Sequence, residues 1–191
     1  LLSAHFNPKA QELKLEDYKP GDKLIPFEVS EVKYSGSELC GIRYEQLIPW
    51  IKPEENTMSV ISGEFVTTSD GTGIVHIAPT FGADDDRVAK ANKIAPMLVL
   101  DADGQQQPLV DRTGKLYKIE DLDSEFAATR VNESYKEFAG RFVKNAYDSS
   151  ITAEDAPTLD VDICVMLKQQ GLAYKIEKHV HSYPHCWRTD K

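Results

Sequence analysis

The sequence predicts a β-rich α+β domain, a β-barrel accompanied by a few short helices. Most of the chain consists of short stretches in which apolar and β-branched residues alternate with polar ones, separated by turns. Such stretches are typical of strands, and only two segments have apolar or acidic residues in a helical pattern. Many short strands with few helices favour a barrel-like α+β fold.

The composition is that of one globular domain. The chain has 191 residues, of which 41% are hydrophobic and 28% charged, enough to bury a core. Its net charge of -9 argues against a protein whose main task is to grip phosphates. Residues 1–15 lack the apolar stretch of a signal peptide, and the sequence has no apolar run long enough to predict a membrane span. Three widely spaced cysteines, an odd number, are typical of a reduced, cytoplasmic protein. Because the chain begins at Leu1, we expect a piece of something larger.

Strands are predicted for most of the first eighty residues. Leu24–Tyr34 alternates, and Leu39–Tyr44 is expected to pair back on it after a turn. Met58–Thr67 and Thr72–Ile77 are expected to form a hairpin through the turn at 69–71. This hairpin leads directly into the stretch that holds the candidate site.

Helices are predicted in two places. At Asp84–Asn92 three acidic residues favour the positive end of a helix. Apolar residues recur at helical spacing over 159–167, and Gly171 is expected to end that helix. Residues 115–150 predict only short strand-like pieces and polar linkers, with Phe138–Val143 packed on the core.

A calcium loop is not predicted after the short apolar strand Met97–Leu100. Asp101–Gly104 resembles the start of such a loop. Its sixth position is Gln106 where glycine is needed, and its twelfth is Arg112 where glutamate is needed.

A candidate polar site lies between residues 63 and 90. His76 ends a predicted strand, and Asp85 stands nine residues later near a helix start. A carboxylate in that position can bind an ammonium group, since opposite charges attract strongly in a partly dry site. In the simpler alternative the acids only cap the helix and His76 is a wall residue. Spacing alone does not separate Asp85 from Asp84 and Asp86.

The sequence Gly71-Thr72-Gly73 lies in the same stretch, just before His76. It is not a phosphate-binding loop, because it lacks the glycine and lysine spacing of such loops. The simpler interpretation is a hairpin turn. In the functional interpretation the glycines leave room for a ligand against bare backbone.

The C-terminus holds a second dense cluster: His179, His181, His185 and Cys186. Zinc is not favoured, because Thr189 stands where a Cys-x-x-Cys pair needs its second cysteine. The other two cysteines, Cys40 and Cys164, are widely spaced, so we expect reduced thiols and no disulfide framework.

Residues Gly71–Asp85, GTGIVHIAPTFGADD, closely resemble the signature of the editing domain of isoleucyl-tRNA synthetase, a class I aminoacyl-tRNA synthetase. The position of His76 before Ala78-Pro79, with Phe81-Gly82 after them, is similar to the isoleucine enzyme rather than to its valine and leucine counterparts. Residues 44–50 and 181–188 are also similar to that enzyme. The resemblance covers the chain from about residue 39 to its end.

The resemblance implies an editing hydrolase that removes valine misattached to isoleucine tRNA, and valyl-adenylate as well. Asp85 would hold the α-ammonium group, His76 would line the pocket, and Thr72 and Gly73 would shape its floor. Catalytic roles are thus implied for Asp85 and His76, with a positioned water and no metal. The parent synthetase is expected to use ATP and magnesium, and the partners are isoleucine tRNA and the catalytic domain.

The sequence departs from the family pattern in two respects. The threonine-rich peptide that forms another pocket wall is absent, so we expect residues 1–178 to be a truncated editing domain, weakly active or inactive alone. Residues 179–191 are expected to return toward the catalytic domain, and zinc there is in doubt because of Thr189. The alternative is a non-catalytic module that positions RNA or protein, although the net charge of -9 disfavours unaided RNA binding.

Overall fold

The computed structural model describes residues 6–19, 22–69, 71–151 and 158–177. Within these residues there are five helices and strands of regular form: α1 (Ala83–Ala91), β1 (Val99–Leu100), β2 (Gln106–Gln107), α2 (Ser124–Arg130) and α3 (Leu159–Gln169). The two strands pair antiparallel, and short 3-10 helices and isolated antiparallel bridges make the other connections. The predicted mixture of helix and sheet is confirmed, whereas a barrel is not formed by the described residues and stays a prediction.

The core is one cluster of buried apolar side chains: Trp50, Ile51, Val99, Leu116, Leu122, Tyr135, Phe138 and Leu159. At its centre the Trp50 ring lies 4.6 Å from the Phe138 ring and 5.7 Å from the Tyr135 ring, within the range of favourable aromatic pairs. The Tyr135 hydroxyl donates to the Tyr117 carbonyl oxygen at 2.6 Å. Burial raises the pKa of Tyr135. The buried Trp50 indole nitrogen has no hydrogen-bond acceptor among the described residues.

Helices α1 and α3 confirm the two helix predictions to within a residue or so. In α3 Leu159 is buried, Asp162 forms an ion pair with Arg141, and Gly171 adopts a φ of 72° just beyond the last turn. A left-handed glycine in that place satisfies the last carbonyl groups of a helix. Both helices were predictable because their capping and periodic signals are local.

Helix α2 was missed, since the sequence predicted only strand-like pieces and linkers for residues 115–150. Its start is set by Asp123, whose carboxylate accepts a hydrogen bond from the Phe126 amide at 2.8 Å. At the other end Arg130 donates to the Lys52 carbonyl oxygen at 3.1 Å, and the Lys52 amide donates back to the Arg130 carbonyl at 2.7 Å. The run Asp123-Ser124-Glu125 was the available signal, an N-cap followed by an acidic first turn.

The predicted pairing of Leu39–Tyr44 with Leu24–Tyr34 is wrong. Instead, the residues after Leu39 pair with 58–60: the Gly41 amide donates to the Val60 carbonyl at 2.9 Å, and the Tyr44 amide to the Met58 carbonyl at 3.2 Å. Residues Gly36–Leu39 form a 3-10 helix capped by Ser35 and Glu38. This local capping box removes the tight turn that the predicted pairing required.

The predicted hairpin of Met58–Thr67 with Thr72–Ile77 is also not formed. The Thr72 hydroxyl both donates to the Ile74 carbonyl at 3.0 Å and accepts from the Ile74 amide at 3.2 Å. Gly71 and Gly73 adopt φ values of 67° and 76°, which turn the chain repeatedly. Local hydrogen bonds from threonine compete with strand pairing, and here they prevail.

The turn after β1 is closed by one carboxylate. Asp101 accepts hydrogen bonds from the Gln105 amide at 2.8 Å, the Asp103 amide at 3.1 Å and the Gln107 side chain at 3.0 Å. These bonds, above all that from Gln105, hold the pKa of Asp101 below its usual value. Nothing in the described part of the chain is a helix long and apolar enough to cross a membrane.

Candidate functional site

The three acidic residues that open α1 have different environments. Asp84 pairs with Arg87 at 2.8 Å, and Asp86 pairs with Lys90 at 2.7 Å, both along the exposed side of the helix. The carboxylate of Asp85 instead turns back across the start of the helix and accepts a hydrogen bond from the Ala78 amide at 2.9 Å. The structure thus separates Asp85 from the neighbours that the sequence could not tell apart.

The loop from Ala78 to Gly82 is wrapped around the Ala78 peptide group. The Ala78 carbonyl accepts from the Phe81 and Gly82 amides, each at 3.0 Å, while the Ala78 amide donates to Asp85. The Thr80 hydroxyl donates to the Met97 carbonyl at 3.4 Å, just before β1. The loop is therefore braced to the helix on one side and to the strand on the other.

Gly82 is the residue immediately before α1 and lies beneath the Asp85 carboxylate. A Cβ atom added at Gly82 would lie 2.7 Å from Asp85 Oδ2 and 2.9 Å from its Cγ. Contacts of this length are repulsive, so the observed position of the carboxylate depends on the missing side chain. The sequence distinguishes this glycine only as part of the Phe81-Gly82 pair of the family motif. The sequence signal that could have identified Gly82 is a glycine three residues before an acidic residue at a helix start.

The other predicted site residues make no hydrogen bond or ion pair with Asp85 among the described residues. His76 is exposed, and within the described residues no hydrogen bond or ion pair joins it to Asp85. Thr72 and Gly73 are half-buried and belong to the turn described above. The placement of all four residues in one pocket therefore stays a prediction.

Comparison with known proteins identifies the family. The isoleucine--tRNA ligase of Bacteroides fragilis is 61% identical over 192 residues, covering 100% of this chain and 17% of that protein. The ligase of Porphyromonas gingivalis is 52% identical over 193 residues, with the same two coverages. From end to end, the chain matches isoleucine--tRNA ligases. The family resemblance seen in the sequence is confirmed.

The match to isoleucine--tRNA ligases extends to more distant relatives. The Clostridium tetani ligase is 36% identical over 170 residues, covering 88% of this chain and 13% of that protein. No family model matches the chain. Since it spans about 17% of the length of the first relatives, the chain corresponds to one part of a larger synthetase.

A separate cleft lies in the other half of the chain, and it shares no residue with the Gly71–Asp85 motif. Asp111, Lys115, Tyr117 and Asp121 contribute to its lining. Burial raises the pKa of Tyr117, and nearby carboxylates add to that effect. The cleft brings opposite charges together, and no group of three or more metal ligands forms there among the described residues. Since it lies outside the motif that carries the family resemblance, it is the weaker candidate site.

Metal binding was not favoured by the sequence, and the structure leaves that prediction open. Across residues 6–151 and 158–177, apart from the gaps at 20–21 and 70, His, Cys, Asp and Glu form no group of three or more that could hold a metal. The cluster at His179, His181, His185 and Cys186 lies outside the described residues.

Proposed function

We propose that this chain is part of the editing region of an isoleucyl-tRNA synthetase and hydrolyses valine misattached to isoleucine tRNA, and valyl-adenylate as well. Two findings support the proposal. The chain matches isoleucine--tRNA ligases over its whole length. Of the three acids that open α1, Asp85 alone turns toward the motif loop and not toward a basic residue of its own helix.

The need for such an activity follows from the limits of binding. A pocket that accepts isoleucine cannot strongly reject valine, because one methylene is worth only ~1–3 kcal/mol, a limit for which this enzyme family is itself the usual example. A second site that admits valine and excludes isoleucine by size removes the errors.

In the proposed site the Asp85 carboxylate binds the α-ammonium group of the misattached valine. Its Oδ2 atom already accepts the Ala78 amide, and within the described residues its other oxygen accepts no hydrogen bond. A carboxylate with one oxygen fixed and one free is suited to a charge-assisted bond with an ammonium group. The positive end of α1 favours a negatively charged group in this place.

The remaining roles follow the family pattern. His76 lines the pocket beside the ester, Thr72 and Gly73 shape the floor, and a positioned water attacks the ester without a metal. The parent synthetase uses ATP and magnesium at its catalytic domain, and the proposed partners are that domain and the mischarged tRNA. His76 is exposed in the described part of the chain, and in the proposed site further chain covers this side.

The decisive experiment compares two neighbouring acids in the full-length synthetase that carries this segment. Asp85→Ala is expected to slow deacylation of valyl-tRNA for isoleucine by about tenfold to a hundredfold, the effect of losing one charge-assisted hydrogen bond. Asp84→Ala is the matched control, since its carboxylate is exposed and paired only with Arg87. It should leave the rate unchanged. Equal rates for wild type and Asp85→Ala would refute the assigned role.

A second candidate is a non-catalytic module that positions RNA or protein. The observation in its favour is apolar exposure at the motif itself, where Ile74 and Val75 are each 52% exposed and Phe81 is 72% exposed. Large apolar side chains that are exposed together often mark an interface. Titration with non-hydrolysable valine and isoleucine analogues separates the two candidates, because only an editing pocket binds valine and rejects isoleucine.

The isolated chain is expected to be weakly active or inactive. The threonine-rich wall of the family pocket is not found in the sequence, and the described residues leave His76 exposed. Rapid deacylation by the 191-residue chain alone would show that these residues suffice.

A further inference from the structure

We propose that Gly82 is a positioning residue of the editing site, because the space it leaves lets the Asp85 carboxylate turn back to the Ala78 amide. The inference rests on the proposed function of Asp85. It assigns to the residue before α1 a part in recognising the ammonium group, without any contact between that residue and the substrate.

The glycine is required for space and not for backbone conformation. Gly82 has φ -100° and ψ 127°, an extended geometry that any residue can adopt. The constraint is the carboxylate, which would lie 2.7 Å from an added Cβ atom at its Oδ2 and 2.9 Å at its Cγ. A methyl group at this position therefore displaces the side chain of Asp85 or the loop beneath it.

The loop from Ala78 to Gly82 is held by several hydrogen bonds. A Cβ atom at Gly82 is therefore expected to displace the Asp85 side chain and not the loop. Both polar groups of the Ala78 backbone are engaged, and the Gly82 carbonyl accepts the Asp86 amide at 2.8 Å as the first hydrogen bond of the helix. Moving the loop would also strain the contact from Thr80 to the Met97 carbonyl. Rotating one aspartate side chain out of the loop breaks a single hydrogen bond and is the easier response.

The consequence is specific to the charge of the substrate. A displaced Asp85 carboxylate loses its fixed place opposite the α-ammonium group, so hydrolysis of an aminoacyl ester slows. An ester in which a hydroxyl replaces the ammonium group does not use that contact and is hydrolysed as before. A general loss of folding slows both.

The experiment measures deacylation of two tRNA esters by the full-length synthetase, one carrying valine and one carrying the α-hydroxy acid made by deaminating it. The variants are Gly82→Ala, Asp85→Ala and the double variant. Gly36→Ala is the control, since a Cβ atom there has no heavy atom within 4 Å and the backbone has no positive φ. Gly82→Ala is expected to slow the valyl ester on the order of tenfold, as for weakening one charge-assisted bond, and to leave the hydroxy ester unchanged.

The double variant completes the test, because two residues that act through one contact are not additive. It should match Asp85→Ala on both esters. The inference is overturned if Gly82→Ala leaves the valyl rate unchanged, if it slows both esters equally, or if it slows the valyl ester further in the Asp85→Ala background. Failure of the proposed function has a different signature: Asp85→Ala would then retain the wild-type ratio of the two rates.

Discussion

Two parts of this chain bury their apolar residues to very different extents. Between residues 97 and 143, which we call the packed part, no large apolar side chain is exposed. In the open part, residues 22–47 and 58–82, large apolar side chains are exposed throughout: Val29, Val32, Tyr34, Ile42, Tyr44, Leu47, Phe65, Ile74, Val75 and Phe81. The packed part supplies most of the buried core, whereas the open part, which holds most of the motif, presents an apolar surface of the kind that often marks an interface.

The largest effect expected from this contrast is the difference between two phenylalanine substitutions. Phe138 is 2% exposed and packs on Trp50, whereas Phe81 is 72% exposed. Phe138→Ala should lower the free energy of unfolding by about 3–5 kcal/mol, the usual cost of emptying a core aromatic site. Phe81→Ala should change it by less than ~0.5 kcal/mol. Denaturant titration of the 191-residue chain measures both, and similar losses would mean that the open part is packed in solution.

A smaller effect is expected from a single hydroxyl. Tyr135→Phe removes the donor to the Tyr117 carbonyl inside the core and should cost about 1 kcal/mol in the free energy of unfolding. The matched control is Tyr44→Phe, at a side chain that is 52% exposed in the open part. If the control is the more costly of the two, the assignment of the core to the packed part fails.

The smallest expected effect is on the loss of stability at acidic pH. The pKa of Asp101 in the packed part and that of Glu38 in the open part are both lowered, the first mainly by the Gln105 amide and the second by the Ser35 amide. A lowered folded-state pKa gives stability that is present above the unfolded value, 3.8 for Asp101, and lost as pH falls through the folded value. Asp101→Asn should therefore flatten the loss of stability below about pH 4.

Glu38→Gln is the control for that pH dependence. Its carboxylate caps a short 3-10 helix remote from the buried cluster, so its protonation should change local structure without altering global unfolding. Unfolding curves between pH 5 and pH 2 measure both variants. The contrast between the two parts is contradicted if Glu38→Gln reduces the loss of unfolding free energy at low pH and Asp101→Asn does not.

Sequence patterns predicted those features that neighbouring residues determine. Helix α3 followed from apolar spacing and Gly171, and α1 from its acidic first turn. The strand partners were not predictable, because pairing depends on which distant segment is available, and residues 58–60 paired with 41–44. Helix α2 was missed although Asp123 gave a capping signal.

The candidate site was predicted to a similar extent. The motif identified the acidic cluster and His76, but the distinction between Asp85 and its neighbours depends on tertiary contacts. It required the Ala78 amide, seven residues earlier, and the space above Gly82. The joint placement of His76 and Asp85 in one pocket remains a prediction, because no hydrogen bond or ion pair joins them among the described residues.

The unpartnered indole nitrogen of Trp50 has a spectroscopic consequence. The chain has two tryptophans, and Trp50 is the one in the buried core cluster, 7% exposed and without a hydrogen-bond acceptor among the described residues. An indole in such dry, apolar surroundings emits at short wavelength, and the emission shifts to the red when water reaches it. The intrinsic fluorescence of the chain therefore reports the opening of this core, and it can follow every unfolding measurement described above without an added label.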